Sequence, residues 1–256
     1  RRCKTRENPM ADTPQQPQRE PIFNVPRVIA ILIGVMWVVH IAADLALDDY
    51  GLGNLRIWFA FIPDRITNSA QWQGGELPLL WTGFTHAFLH VDYMHLFVNT
   101  AWLMVFGTPV GRRYGASGVL AIFLLGALAG AIVQSIALLF SINQFAILLG
   151  ASGGVSALTG AAMRFIFEPI VVGKDPETGD PVALGRRTAT LAGVFANPRS
   201  RTFIIFWMGL NLLIGFAPFI LGASVAIAWE AHIGGFVAGL LLPSVLDGVA
   251  RRNQRP

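Results

Sequence analysis

Three short patterns in this chain could carry chemistry. Gly150-Ala151-Ser152-Gly153 sets a hydroxyl between glycines at the start of an apolar run of small residues. Gly150 and Gly153 keep side chains away from the hydroxyl, leaving room for a substrate carbonyl and for bare backbone N–H groups. If a helix begins near Ser152, its unpaired N–H groups and positive dipole end lie close to that oxygen. The second pattern is Ala231-His232 followed by Gly235 and Gly239. Ser152, Ser156 and Gly160 form a stripe, and small residues at four-residue spacing let membrane helices approach closely. If that stripe faces the Gly235–Gly239 stripe, Ser152 and His232 come within hydrogen-bond reach, the minimum for a serine nucleophile with a general base. The third pattern is His95 and Asn99, four apart and on one face of a helix for which Asp92 is the expected N-cap. Each has a plainer reading: Ser152 bonded to its own helix backbone, His232 a buried polar link, and the glycines packing alone.

These groups must be held at membrane depth. Of 256 residues, 54% are hydrophobic and 13% charged, against about 25% charged in soluble domains. The apolar residues come in separated runs of roughly 20, the length of a bilayer-spanning helix. The runs cover about 28–47, a helix from Tyr93 to the Arg112-Arg113 pair, 117–140, 150–167, 202–222 and 226–247. The expected fold is an all-α integral membrane bundle of six transmembrane helices.

Residues 1–26 are polar and proline-rich, a disordered tail. The membrane domain is expected over 27–249, with a second tail over 250–256. Within it, 168–201 is a basic loop containing a turn at Lys174–Pro181. Residues 48–84, with Trp58, Trp72 and Trp81 among prolines and glycines, read as a structured loop partly embedded in the outer leaflet. His40, inside the first run, is expected to be a packed residue. Lysine and arginine cluster in the N-terminal tail, at 112–113, over 164–201 and in the C-terminal tail, and are missing from 141–145 and 217–225. That alternation puts both termini in the cytoplasm, with Ser152, His95 and the start of the last span toward the outer face. Bulky Phe203, Phe206, Trp207, Phe216 and Phe219 and the helix-breaking Pro218 mark the fifth span as the expected entry for a substrate helix.

Cys3 is the single cysteine, so no internal disulfide forms. The chain begins at Arg1, and Met10 is a plausible natural start. Removing Arg1, Arg2, Lys4, Arg6 and Glu7 lowers the net charge from +4 to +1, so charge implies no nucleic-acid partner.

The three patterns, in this order and on this side of the membrane, resemble the rhomboid family of intramembrane serine proteases over about residues 80–245. The resemblance implies a six-helix rhomboid-like bundle in which Ser152 is the nucleophile and His232 the base. It implies that His95, Asn99 and the Ser152 backbone N–H stabilise the oxyanion, with Gly150, Gly153, Gly235 and Gly239 in support. The substrates implied are transmembrane helices of other proteins, met in membrane lipid, and no cofactor is implied. The family uses a dyad. Glu230 is near His232 in sequence but points ~200° away round a helix. Two positions depart from many bacterial relatives: Trp81 is followed by Thr82 rather than arginine, and Ser156 stands where an aromatic would stack under the histidine.

Other readings fit less well. His86, His90 and His95 suggest a metal, but H-A-F-L-H lacks the glutamate of H-E-x-x-H, and no thiol or carboxylate cluster completes a shell. His86 and His90 are expected to line a hydrated pocket near the serine. A transporter would place acidic residues in helix centres, and Glu230 is near an end. A non-catalytic rhomboid-like protein that binds membrane helices would have lost Ser152, His232 or the glycines.

Overall fold

A helix of only 12 residues, α6 (Ser152–Met163), occupies the centre of the molecule, and every residue of it after Ser152 is buried. The structure is a computed structural model that describes residues 25–140, 147–221 and 228–253, with side chains at all of these but 217–221 and 249–253. The expected tail over 1–26, up to residue 24, lies outside the described residues. So do the 141–145 connection, the part of 217–225 beyond Leu221, and the side chains of Pro218 and Phe219. The helices are α1 (Arg27–Ala46), α2 (Asp49–Phe59), α3 (Arg65–Asn68), α4 (Leu79–Thr85), α5 (Tyr93–Leu139), α6, α7 (Leu191–Ala196), α8 (Pro198–Leu221) and α9 (Trp229–Asn253).

Among the described residues, three stretches are long and apolar enough to cross a membrane by themselves: Arg27–Ala46, Tyr93–Leu139 and Trp229–Gly248. The 47-residue α5 is broken at Gly115, whose φ of 67° and ψ of −169° are not helical. Glycine enters that region without the Cβ clash that other residues meet. The break divides α5 into two arms where the sequence indicates two runs. The serine helix ends at Met163, short of the expected 167, and α9 continues to Asn253, past the expected end of the membrane domain.

α6 packs between both arms of α5 and α9 because the contacts are made by glycine and alanine. A methyl on Gly126 would overlap the Ala157 side chain, one on Gly235 the Gly153 carbonyl, and one on Gly239 the Ala157 carbonyl. α1 seats on the first arm, where Ile29 lies 2.6 Å from the place of a Cβ at Gly107. At its foot α6 hands over to buried Arg164, which donates to the Ala189 carbonyl at 2.8 Å, to the Leu240 carbonyl, and to Ser244 Oγ at 2.9 Å.

The molecule is not purely helical, which corrects the all-α expectation. Residues of the basic loop form an antiparallel hairpin, β1 (Ile170–Lys174) with β2 (Pro181–Arg186). Its turn is the expected one. Asp175 Oδ1 accepts from the Glu177 and Thr178 N–H groups. Those bonds, Thr178 foremost, hold its carboxyl below the usual carboxylate range. Val171, Val172, Val182 and Leu184 favour the extended chain once the turn brings them together.

The 48–84 segment is structured, as its aromatics indicate, and its anchor is Arg65. This fully buried guanidinium donates to the carbonyls of Ile57, Gln73 and Gly75 at 2.7–2.8 Å and lies 5.8 Å from the centre of the Trp72 ring. Trp81 stacks with Trp58 and donates to the Trp58 carbonyl at 2.7 Å. An arginine thus holds the loop here, although none follows Trp81.

Two predictions follow from this packing. Arg65→Ala strands three carbonyls and should cost roughly 3 kcal/mol or more; Arg65→Lys should recover only part, since an ammonium lacks the fork. Thermal unfolding in detergent, with limited proteolysis of 48–84, measures both. Gly239→Ala should overpack the α6–α9 contact by about 1–3 kcal/mol. Gly248→Ala, on the same helix with open space around it, should leave the unfolding midpoint where it is or raise it.

Candidate active site

α6 begins at Ser152, so the hydroxyl stands in the first helical turn. Ala151 precedes it as the N-cap residue, and no side chain caps the helix. The first-turn N–H groups therefore have no partner within the helix, and the positive dipole end lies at the serine. Twelve residues at 1.5 Å each make a helix of about 18 Å, well short of a hydrocarbon core of about 30 Å. Such a helix is too short to cross that core by itself.

The approach to Ser152 is fixed by three histidines. The Gly150 N–H donates to the His86 carbonyl at 3.0 Å, and the Ala151 N–H reaches His90 Nε2 at 3.4 Å. The His95 ring presses on Gly150: a Cβ there would lie 2.6 Å from its Cε1 and 2.8 Å from its Nε2. Gly150 also has φ 121°, a backbone that L-residues with a Cβ rarely adopt. Position 150 thus requires glycine twice over, for its conformation and for the imidazole against it. Two residues before Gly150, Leu148 pairs with Phe61 through both backbone hydrogen bonds, tying the serine loop to the 48–84 segment.

His86 is buried, its Nδ1 2.8 Å from the Thr82 carbonyl. His90 also lines a cavity of about 190 Å³ with His40, Asp44, Arg56, Asp92 and Tyr93. His40 packs edge-on to Tyr93. Asp92 caps α5 as its type and position indicate, accepting from the His95 N–H at 2.7 Å. Asn99, one turn below His95, is buried and donates one amide hydrogen to the His95 carbonyl at 3.0 Å. The second hydrogen of that amide remains available as a donor.

His232 comes to the same level from α9. The two helices run parallel, with Gly235 against Gly153 and Gly239 against Ala157, and Gly160 lies under the Phe236 carbonyl. The α6 stripe facing α9 is thus Gly153, Ala157 and Gly160, one residue on from the expected Ser152 and Ser156. Ser152 and His232 stand in the first turns of adjacent helices. Among the described residues no hydrogen bond joins them. Nδ1 of His232 is instead 2.6 Å from Asn211 Oδ1 on α8.

Sequence reasoning missed Asn211. The signal was available: it is the only polar side chain between Phe203 and Phe216, and an amide at membrane depth needs partners. It missed Arg65 as well, which has no local pattern around it.

Comparison with known proteins gives concordant matches. A family model described as the Rhomboid domain matches residues 78–175, a stretch that holds His95, Asn99 and Ser152 and stops before His232. The chain is 28% identical over 206 residues to the "Rhomboid protease GlpG" of Pectobacterium atrosepticum, and 25% identical over 222 residues to that of Salmonella choleraesuis. These alignments cover 80% and 86% of this chain but 59% and 65% of the relatives, so the chain spans about three-fifths of their length. With apolar helices long enough to cross a bilayer and relatives in bacteria, this is a bacterial integral membrane protein. Residues 78–175 thus match a Rhomboid domain, and over most of its length the chain is similar to bacterial rhomboid proteases.

Proposed function

We propose that this protein is an intramembrane serine endopeptidase that cuts other proteins in or near their transmembrane helices. The observation that carries the reading is the paired close approach around Ser152: α9 against Gly153 through Gly235, and His95 against Gly150. Both contacts need glycine, and both bring an imidazole-bearing helix to the serine.

In the proposed reaction Ser152 Oγ attacks the scissile carbonyl carbon while its proton passes to Nε2 of His232. The carbonyl oxygen becomes an oxyanion facing the Ser152 N–H, the second amide hydrogen of Asn99, and His95. As the intermediate collapses, the C–N bond breaks and the same proton moves from His232 to the leaving amine. Water then cleaves the acyl-enzyme with His232 again as base. The remaining supports are Gly150, Gly153, Gly235 and Gly239, and no metal takes part. With α5 counted as two arms, α1, α5, α6, α8 and α9 supply six membrane segments. The basic loops support a cytoplasmic location for both termini, and the proposed partners are substrate helices in membrane lipid.

A fluorophosphonate probe tests the reading without a known substrate, since a serine hydroxyl must be activated to react. Detergent-solubilised protein should be labelled at Ser152, and labelling should vanish in Ser152→Ala and in His232→Ala. Absence of labelling in folded wild type would favour the alternative, a rhomboid-like protein that binds membrane helices without cutting them. In cleavage of a single-span reporter, Asn99→Ala should lower the rate by about 10²–10³, the usual worth of one oxyanion donor. A fusion reporter at the C-terminus should report a cytoplasmic location; an external one would displace Ser152 from the outer half of the membrane.

A further inference from the structure

We infer that Asn211 is the positioning residue of the base: from α8 it fixes the tautomer and orientation of His232 so that Nε2 is the nitrogen free to take a proton. The inference rests on the serine-peptidase reading above and adds a third member to the pair. Asn211 Nδ2 donates to the Trp207 carbonyl at 2.7 Å, and Asn211 Oδ1 is 2.6 Å from His232 Nδ1. A carbonyl only accepts, so the amide end facing Trp207 is the nitrogen and the end facing His232 is the oxygen. That oxygen cannot donate. The hydrogen in the 2.6 Å contact therefore belongs to His232 Nδ1. A neutral imidazole with Nδ1–H carries its lone pair on Nε2.

The surroundings hold this amide in register. Phe203, Trp207, Asn211 and Gly215 recur every four residues along one face of α8. Trp207 stacks on Phe236 with centroids 4.6 Å apart and planes at 21°, one turn along each helix from the Asn211–His232 bond. One turn the other way, Gly215 lies directly against the Trp229 ring. No aromatic ring stacks on His232 among the described residues, and Ser156 has none to offer. Orientation of the imidazole through a neutral amide also suits the site, because a carboxylate at this depth would carry a desolvation cost that an amide avoids.

The test compares wild type with Asn211→Leu, which keeps the volume and removes the acceptor, and Asn211→Asp, which restores an acceptor. Nitrogen chemical shifts of ¹⁵N-histidine report the tautomer directly. The chain has five histidines, and His232→Ala identifies the signal. The expected result is an Nδ1–H tautomer in wild type and a tautomer mixture in Asn211→Leu. Maximal fluorophosphonate labelling should fall about 10–100-fold in Asn211→Leu, the size seen when the partner orienting a metal-bound histidine is removed, with half-saturation unchanged. Asn211→Asp should recover most of the rate. An Nε2–H tautomer in wild type would overturn the inference, as would equal shifts and rates in wild type and Asn211→Leu. If Asn211→Leu does not fold, the wild-type shifts still decide. If wild type is not labelled at all, the peptidase reading fails, while the shifts still decide what Asn211 does to His232.

Discussion

The close approach of α6 to its neighbours is the constraint on which the rest depends. In lipid, apolar burial does little to drive one helix onto another, so association rests on van der Waals contact and hydrogen bonds. That contact is strong only where backbones come near, and they do so where Gly126, Gly153, Gly235 and Gly239 take the place of larger residues. At Gly235 the Gly153 carbonyl stands directly over the Cα, an arrangement that also permits weak Cα–H···O attraction. A single added methyl at Gly235 or Gly239 would strike main chain, which cannot swing aside as a side chain can. The same packing that stabilises the bundle therefore sets the level of Ser152 against that of His232. Position and stability are not separable in this centre.

Burying a short helix raises a second problem, because its ends carry unpaired backbone groups that lipid cannot satisfy. The two ends solve it differently. At the C-terminal foot, Arg164 spreads its donors over Ala189, Leu240 and Ser244, locking α6 to α9 and to the segment after the hairpin. The N-terminal end receives no such cap. Its approach is braced by the His86 carbonyl and His90 Nε2, which occupy the N–H groups of Gly150 and Ala151 and stop there. The N–H groups that follow, in the first turn of α6, receive no side-chain cap. The two ends of α6 thus differ in how they are held: side-chain donors tie the foot, and no side chain caps the start.

What was legible in the sequence was what a few neighbouring residues decide. The start of α6 at Ser152, the Asp92 cap, the turn at Asp175 and the glycine demanded at 150 each follow from local chain geometry. The separation of apolar runs at Arg112-Arg113 also held, even though the break itself is carried by Gly115. The illegible parts are long-range or turn on a small rotation. Arg65 acts on carbonyls eight to ten residues away, and no spacing rule ties an arginine to them. The α6 stripe was misplaced by one residue because Ser156 and Ala157 are both small, so composition alone could not choose between adjacent faces. The hairpin was hidden because a polar, proline-containing loop reads as irregular until its two apolar strands meet. Asn211 finds its partner 21 residues away in sequence, on another helix.

The placement of that partner has a mechanical consequence. α8 exposes Ile205, Phe206, Leu213 and Phe216 to the surroundings, and meets α9 through the one face that carries Trp207, Asn211 and Gly215. Trp207–Phe236 and Asn211–His232 are one turn apart on the same two helices, about 5.4 Å along the axis. A displacement of α8 large enough to unstack the rings must also draw Asn211 away from His232, since a hydrogen bond weakens steeply once its atoms separate beyond about 3.2 Å. The imidazole would then be free to rotate and to exchange its proton between nitrogens. Side-chain orientation on α9 is therefore conditional on the seating of α8. A helix that lies at the edge of the bundle, with lipid-facing aromatics and a single contact face, is coupled to the histidine at its centre by one amide.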